Sequence, residues 1–368
     1  MPPSWEVIVV GGGAIGAACA RELALTGRRV LVLDAGGNVG QAWRAAGGML
    51  APQIEADATD PLLKFGVEAR DHYSVLAPGL RDTTGIDIGL WQEGIARVAV
   101  EPADAEVLRA KVAWQREQGY RCEWLAGAEV HRRWPWLSPV AGALWAPSDG
   151  ALDPIRLVEA LRQDAVRLGA TLITDRVTHI ERQGDLIRGV SSEVDHYAAP
   201  EVVIAAGAWS PLIQGLPRSL PVEPVRGQMA ALRWPPGVPP AIIYQKESYI
   251  LARGSEAVLG STMERVGFQP DVTPAGLAQI FSATGLLAPA LARSKIQRSW
   301  AGLRPMTPDA LPIIGREPEV RGLWYATGHG RNGILLAGLT GKLLAKLIDG
   351  ADSARELLFA VERFRDAK

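Results

Sequence analysis

The chain has 368 residues, 48% hydrophobic and 21% charged, a composition that excludes wholesale disorder and suits one large domain or two ordinary ones. Basic and acidic residues nearly cancel, 39 against 40, and no basic block is longer than a pair such as Arg28-Arg29, which excludes binding driven by nucleic-acid phosphates. No apolar run reaches the roughly 18 residues of a membrane span. With a strand-like start at Trp5, no leader peptide is expected. Two cysteines, Cys19 and Cys122, make no disulfide framework, and the five histidines have no metal-ligand spacing. A reducing, cytoplasmic compartment and no bound metal are the expectations.

The first informative stretch is a β-branched run, Glu6 to Val10, then the glycine segment Gly11 to Gly16, a helical pattern through Ala24, and a second strand, Arg29 to Leu33, ending at Asp34. Residues 57–80 and 102–119 carry apolar residues at helical spacing. Asp153 and Pro154 read as the N-cap and first position of a helix reaching Leu168. Residues 171–174 and 201–205 return to the buried-strand pattern. From 224 to 263 the reading is antiparallel, with strands at 225–233, 241–246, 248–253 and 256–262. The end is strand (323–327), glycine loop (328–333) and helix (334–348).

Gly11, Gly13 and Gly16 form G-x-G-x-x-G between a strand and a helix, with Asp34 closing the second strand. In this fingerprint Gly11 permits the tight turn, Gly13 admits a pyrophosphate to the backbone, and Gly16 lets helix and strand pack closely. The helix N-terminus offers unpaired N–H groups to phosphate, and Asp34 is placed to accept from a ribose. Both NAD and FAD satisfy this motif.

The stretches Ala46-Gly47-Gly48-Met49-Leu50, Ala206 to Ser210, Pro224 to Gln228, Trp300 to Pro305 and Gly328 to Leu336, together with the fingerprint, are spread over nearly the whole length. On these residues the chain resembles the D-amino-acid oxidase (DAO) superfamily of FAD enzymes, most closely the glycine oxidases of the ThiO type. The resemblance implies a mixed α/β fold: a Rossmann-like FAD-binding domain of the glutathione-reductase/DAO type with an inserted antiparallel-sheet substrate domain. The FAD-binding domain is expected from 1–86, 142–217 and 312–368, and the substrate domain from 87–141 and 218–311. Both cysteines precede the region where sarcosine oxidases tether their flavin, so the FAD is expected to be noncovalent.

Carried over residue by residue, the FAD contacts are Gly11, Gly13, Ala14, Ile15, Gly16, Asp34, Ala35, Ala42, Trp43, Gly47, Gly48, Met49, Val177, Gly207, His329, Gly330, Arg331, Asn332, Gly333, Ile334 and Leu335. Arg304 matches the carboxylate-binding arginine and Tyr249 the tyrosine that assists it; Met263 and Met49 form apolar walls, and Arg331 reaches in from the glycine loop. Glu247 stands where glycine oxidases carry a histidine, Asp34 where relatives carry glutamate, Gly330 replaces a bulkier residue, and Gly338 replaces a proline. These last changes are expected to alter packing at the isoalloxazine edge.

The family needs no side-chain acid or base: the substrate's neutral amine supports transfer of the Cα hydrogen to the flavin. The implied reaction is oxidative deamination of glycine, sarcosine or small D-amino acids, with oxygen as acceptor and glyoxylate, ammonia and peroxide as products from glycine. A D-proline-like dehydrogenase with another acceptor is the alternative. The resemblance also implies a homotetramer and an association with thiazole synthase.

Overall fold

The computed structural model describes residues 5–37, 39–58, 60–246, 248–351 and 354–364. Glu247 therefore lies outside the described residues. A six-stranded sheet runs in the order 313–316, 323–327, 201–204, 7–10, 30–34, 171–174. All neighbours are parallel except the 313–316 edge strand, which is antiparallel to 323–327.

The apolar runs that build this sheet are buried on both faces, as a parallel sheet requires. Ile8, Val10, Leu31, Leu33, Val202 and Ile204 face a three-stranded meander (177–183, 186–192, 196–198). Val7, Val9, Val30, Val32 and Val203 face the other way, onto helices Ala14–Leu25 and Gly333–Ile348. These two helices pack backbone to backbone. A Cβ on Gly341 would stand 2.6 Å from the Ala18 carbonyl oxygen.

A mixed nine-stranded sheet forms the other half, in the order 40–41, 296–306, 223–233, 256–260, 248–253, 242–245, 95–99, 142–146, 123–126. Strands Glu223–Arg233 and Ile296–Met306 pair along nearly their whole length, with Val225 opposite Arg304 and Gly227 opposite Gly302. Strand Gly142–Ala146 belongs to this sheet through its pairing with 95–99 and 123–126. The sequence boundary at 142 falls ahead of it: the continuous apolar run of 142–146 gives no sign of which sheet it joins.

One helix differs from expectation. The helix read over 57–80 begins later and runs from Leu63 to Thr84, and a separate short helix, Pro52–Glu55, precedes it. A buried carboxylate serves the short helix: Asp149 accepts from the Gln53 and Ile54 N–H groups at 3.1 and 3.0 Å, satisfying its N-terminus. Asp153 caps helix Pro154–Arg167 as read, accepting from Ile155 and Arg156. Gly338 lies away from the position expected. It faces helix Leu63–Thr84, where a Cβ would meet Leu76 Cδ2 at 2.9 Å and His72 Cδ2 at 3.1 Å, so its missing side chain serves helix packing.

Asp149 also pairs with Arg70, Nη1 to Oδ1 at 2.8 Å, and both side chains are buried. Arg70 further donates to Gln53 Oε1 at 2.6 Å, tying helix 63–84 to the short helix. Burial holds the Asp149 carboxyl above the usual carboxylate range even with the guanidinium beside it. Arg70→Met leaves that carboxylate buried and unpaired. Urea unfolding should show a loss of about 3–5 kcal/mol.

Candidate active site

One cavity of about 700 Å³ runs between the two sheets. Its near end is the fingerprint. Gly11 has φ +98°, in the left-handed region, and a Cβ there would lie 2.6 Å from the Ala205 carbonyl oxygen. Gly16 does not face the cavity. It lies against Gly11, whose carbonyl oxygen would be 1.8 Å from a Cβ on Gly16, so its part is the close helix–strand contact. Gly13, Ala14 and Ile15 line the cavity at the start of helix Ala14–Leu25, where first-turn N–H groups lack helical partners.

Asp34 works within this loop. Its Oδ2 accepts from the Gly12 N–H at 2.7 Å and its Oδ1 from the Gly36 N–H at 3.0 Å, with Arg162 Nη2 at 3.4 Å. The shorter acid is thus held against the turn, with lone pairs left toward the cavity it lines beside Ala35.

The middle of the cavity is walled by backbone. Ala42 and Trp43 come from the short helix Ala42–Ala45, and Gly47, Gly48 and Met49 from the segment after it. Trp43 lies over Gly13, with the Arg44 guanidinium 4.3 Å from its ring centroid. Val177 and Gly207 close the opposite wall. Gly207 has φ +56° and open space where a Cβ would stand. His329, Gly330, Arg331, Asn332, Gly333 and Ile334 bring the N-terminus of helix Gly333–Ile348 onto the same cavity. Gly330 has φ +53°, where any side chain is strained, and a Cβ would meet the flexible end of Met306, Sδ at 2.8 Å. Leu335 is buried in the core and does not line the cavity, because the helix has turned it toward the packed face. His329 is buried with Nε2 3.1 Å from Thr340 Oγ1; burial pushes its pKa down to about 3, so the ring is neutral.

The far end brings together Arg304, Tyr249, Met263, Met49 and Arg331. Arg304 is half-buried. Its Nη1 donates to the Thr262 carbonyl at 3.1 Å and its Nη2 to Ser261 Oγ at 2.7 Å, which fixes the plane of the guanidinium. The guanidinium lies across Gly227, where a Cβ would be 2.2 Å from Nη1. Burial lowers its pKa from the usual arginine value, and nearby Tyr249 and Glu55 oppose that shift.

Tyr249 is buried, its hydroxyl pressed against Gly47: a Cβ on Gly47 would lie 2.2 Å from that oxygen. Arg331 Nε stands 3.2 Å from Glu55 Oε2, so the arginine expected to reach in shares the wall with a carboxylate. Glu55, Tyr244, Ser261 and Thr262 also line this end, and sequence reasoning missed all four. No motif marks Glu55 or Tyr244. Gly227 fell within a recognised stretch, but its purpose as the floor beneath Arg304 appears only across the strand pair.

A dinucleotide site continuous with an arginine-floored chamber defines a dinucleotide-dependent enzyme that handles a small anion. The family described as FAD dependent oxidoreductase (DAO) matches residues 6–347. The glycine oxidase of Geobacillus kaustophilus is 34% identical over 362 residues, covering 97% of this chain and 96% of that protein. The crystal structure of glycine oxidase from Geobacillus kaustophilus matches with a TM-score of 0.92, covering 98% of this chain and 99% of that one. The bifunctional protein ThiO/ThiG of a Nostoc species is 36% identical, over 93% of this chain but 52% of that protein.

The chain belongs to the FAD-dependent oxidoreductase family, and FAD is its cofactor. The cavity fits that group. Its walls are backbone at Gly13, Gly47, Gly48 and Gly207, so a flat ring and a pyrophosphate both find close approach.

Two substitutions test the far end. Arg304→Lys, which cannot present a planar fork, should lower kcat/KM for a small carboxylate substrate on the order of 100-fold. Its flavin content should be unchanged. Gly47→Ala should displace the Tyr249 hydroxyl and raise KM while leaving the fold intact, as read by steady-state kinetics and circular dichroism.

Proposed function

We propose that the protein oxidises glycine, and other small amines and amino acids such as sarcosine and small D-amino acids, to imines. Hydrolysis of the imine gives the 2-oxo acid, glyoxylate from glycine, with ammonia; oxygen is reduced to hydrogen peroxide. The observation that carries this reading is Arg304, a guanidinium oriented by Ser261 and Thr262 in a chamber continuous with the FAD site. The naming of full-length relatives as glycine oxidases supports it.

FAD, held by Gly11, Gly13, Asp34 and the 47–49 and 329–334 segments that line the cavity, would supply the hydride acceptor for the substrate Cα and the route of electrons to oxygen. The chain supplies positioning and electrostatics. Arg304 pairs with the substrate carboxylate, and Tyr249 bounds the carboxylate site from the side of Gly47. Met263, on the exposed rim, and Met49, on the wall, limit the size of the Cα substituent. Arg331 and Glu55 form the polar remainder of the wall. The positive end of helix Gly333–Ile348 opens onto the cavity and favours negative charge there. No side-chain acid or base is assigned, since a neutral substrate amine itself drives the loss of hydride from Cα.

Among the described residues no helix is long and apolar enough to cross a membrane. The reading extends to a cytoplasmic homo-oligomer, a tetramer, with noncovalent FAD. The ThiO/ThiG relative supports a functional link to thiazole synthase.

The test is anaerobic bleaching of the bound flavin by glycine, sarcosine, D-alanine, D-proline and L-alanine, followed by air. Bleaching by glycine or sarcosine with fast recovery is expected. Bleaching by D-proline alone, or slow recovery in air, would replace this reading with a dehydrogenase using another acceptor.

A further inference from the structure

We propose that Arg253 is a positioning residue for the cofactor: it fixes the Gly47–Gly48 peptide so that the Gly48 N–H is presented to the cavity as a pre-set donor. Arg253 itself does not line the cavity, whereas Gly47 and Gly48 do. Its Nη2 donates to the Gly47 carbonyl oxygen and, at 3.2 Å, to the Leu152 carbonyl oxygen. The Gly47 carbonyl is therefore drawn to the side away from the cavity. The Gly47–Gly48 peptide is trans. In a trans peptide the N–H points opposite to the C=O, which turns the Gly48 N–H toward the cavity.

Two further observations point to a ligand for that N–H. Gly48 is buried, and among the described residues its N–H has no hydrogen-bond partner. A backbone donor that the chain leaves unpaired and that faces a cavity is open to a partner from outside the chain. The peptide also cannot rotate to find one elsewhere. Gly48 has φ +78°, its carbonyl accepts from the Leu152 N–H at 2.9 Å, and a Cβ on it would lie 2.1 Å from the Leu152 carbonyl oxygen.

Arg253 and Tyr249 share one strand, Ser248–Arg253, at positions of the same parity, so they lie on the same face of it. Both act on Gly47: Tyr249 by its hydroxyl against the α-carbon, Arg253 by its guanidinium on the carbonyl. Among the described residues no carboxylate lies within 4.0 Å of the Arg253 guanidinium. The charge therefore acts on the peptide carbonyls that surround it. A cation on the Gly47 oxygen polarises the peptide and strengthens the Gly48 N–H as a donor. Fixed donors of this kind favour negative charge on whatever they face, here the reduced, anionic form of the cofactor.

The proposal rests on FAD occupying the cavity and is independent of which amine is oxidised. Its test therefore uses no substrate. Wild-type, Arg253→Met and Arg253→Lys holoproteins are compared by FAD dissociation constant, visible flavin spectrum, reduction potential from dye equilibration, and thermal unfolding. Arg253→Met is expected to weaken FAD binding roughly tenfold, the loss of one charge-backed hydrogen bond. It should also lower the reduction potential and shift the visible bands. Arg253→Lys, keeping the charge without the fork, should fall between.

A thermal destabilisation with unchanged potential and spectrum overturns the proposal, because a merely structural arginine would behave so. If Arg253→Met does not fold, Arg253→Lys decides: a lowered potential supports the assignment, and a wild-type potential overturns it. Wild-type protein that takes up no FAD at all would instead fail the cofactor reading, before any variant is compared.

Discussion

The two sheets meet where side chains are missing, and the rest of the molecule is arranged around that contact. Gly47 is the clearest case. The substrate-end tyrosine, Tyr249, comes from the nine-stranded sheet, while Gly47 comes from the segment that follows the second strand of the dinucleotide fold. Their contact allows no Cβ. The same rule operates at Gly227 beneath Arg304. Each missing methyl lets backbone stand where a side chain would hold the ligand or its arginine at a distance.

Charge placement follows from this close packing. Among the described residues no carboxylate is directly bonded to Arg304. Its donors go to a backbone carbonyl and a hydroxyl, which orient the guanidinium without neutralising it. That differs from the buried Arg70–Asp149 pair, where the charge is consumed in holding three elements together. A guanidinium fixed by neutral partners retains its attraction for an incoming anion, and one paired with a buried carboxylate does not. Arg253 belongs with the first kind, although its target is the peptide backbone.

Much of this site was legible because its parts are local in sequence. The fingerprint, the Asp153 cap and the glycine loop before the last helix each depend on residues within a few positions of one another. The wall formed by 47–49 and 328–334 was likewise readable as stretches of small residues. Leu335, Gly338 and the boundary at 142 were misplaced for a common reason. Which way a residue faces depends on a partner distant in the chain: the core for Leu335, helix 63–84 for Gly338, and strands 95–99 and 123–126 for residues 142–146.

The sequence by itself determined the dinucleotide fold, the glycines that let a flat cofactor approach, and Arg304 as the candidate partner for a carboxylate. These depend on residue chemistry and short spacing, which a linear string preserves. Tertiary structure alone decided that Glu55 and Tyr244 share the substrate chamber, that Arg331 stands beside a carboxylate, and that Arg253 governs a peptide 206 residues away. Those relations join strands and loops from opposite ends of the chain. Only the packing of the two sheets brings them within hydrogen-bond distance.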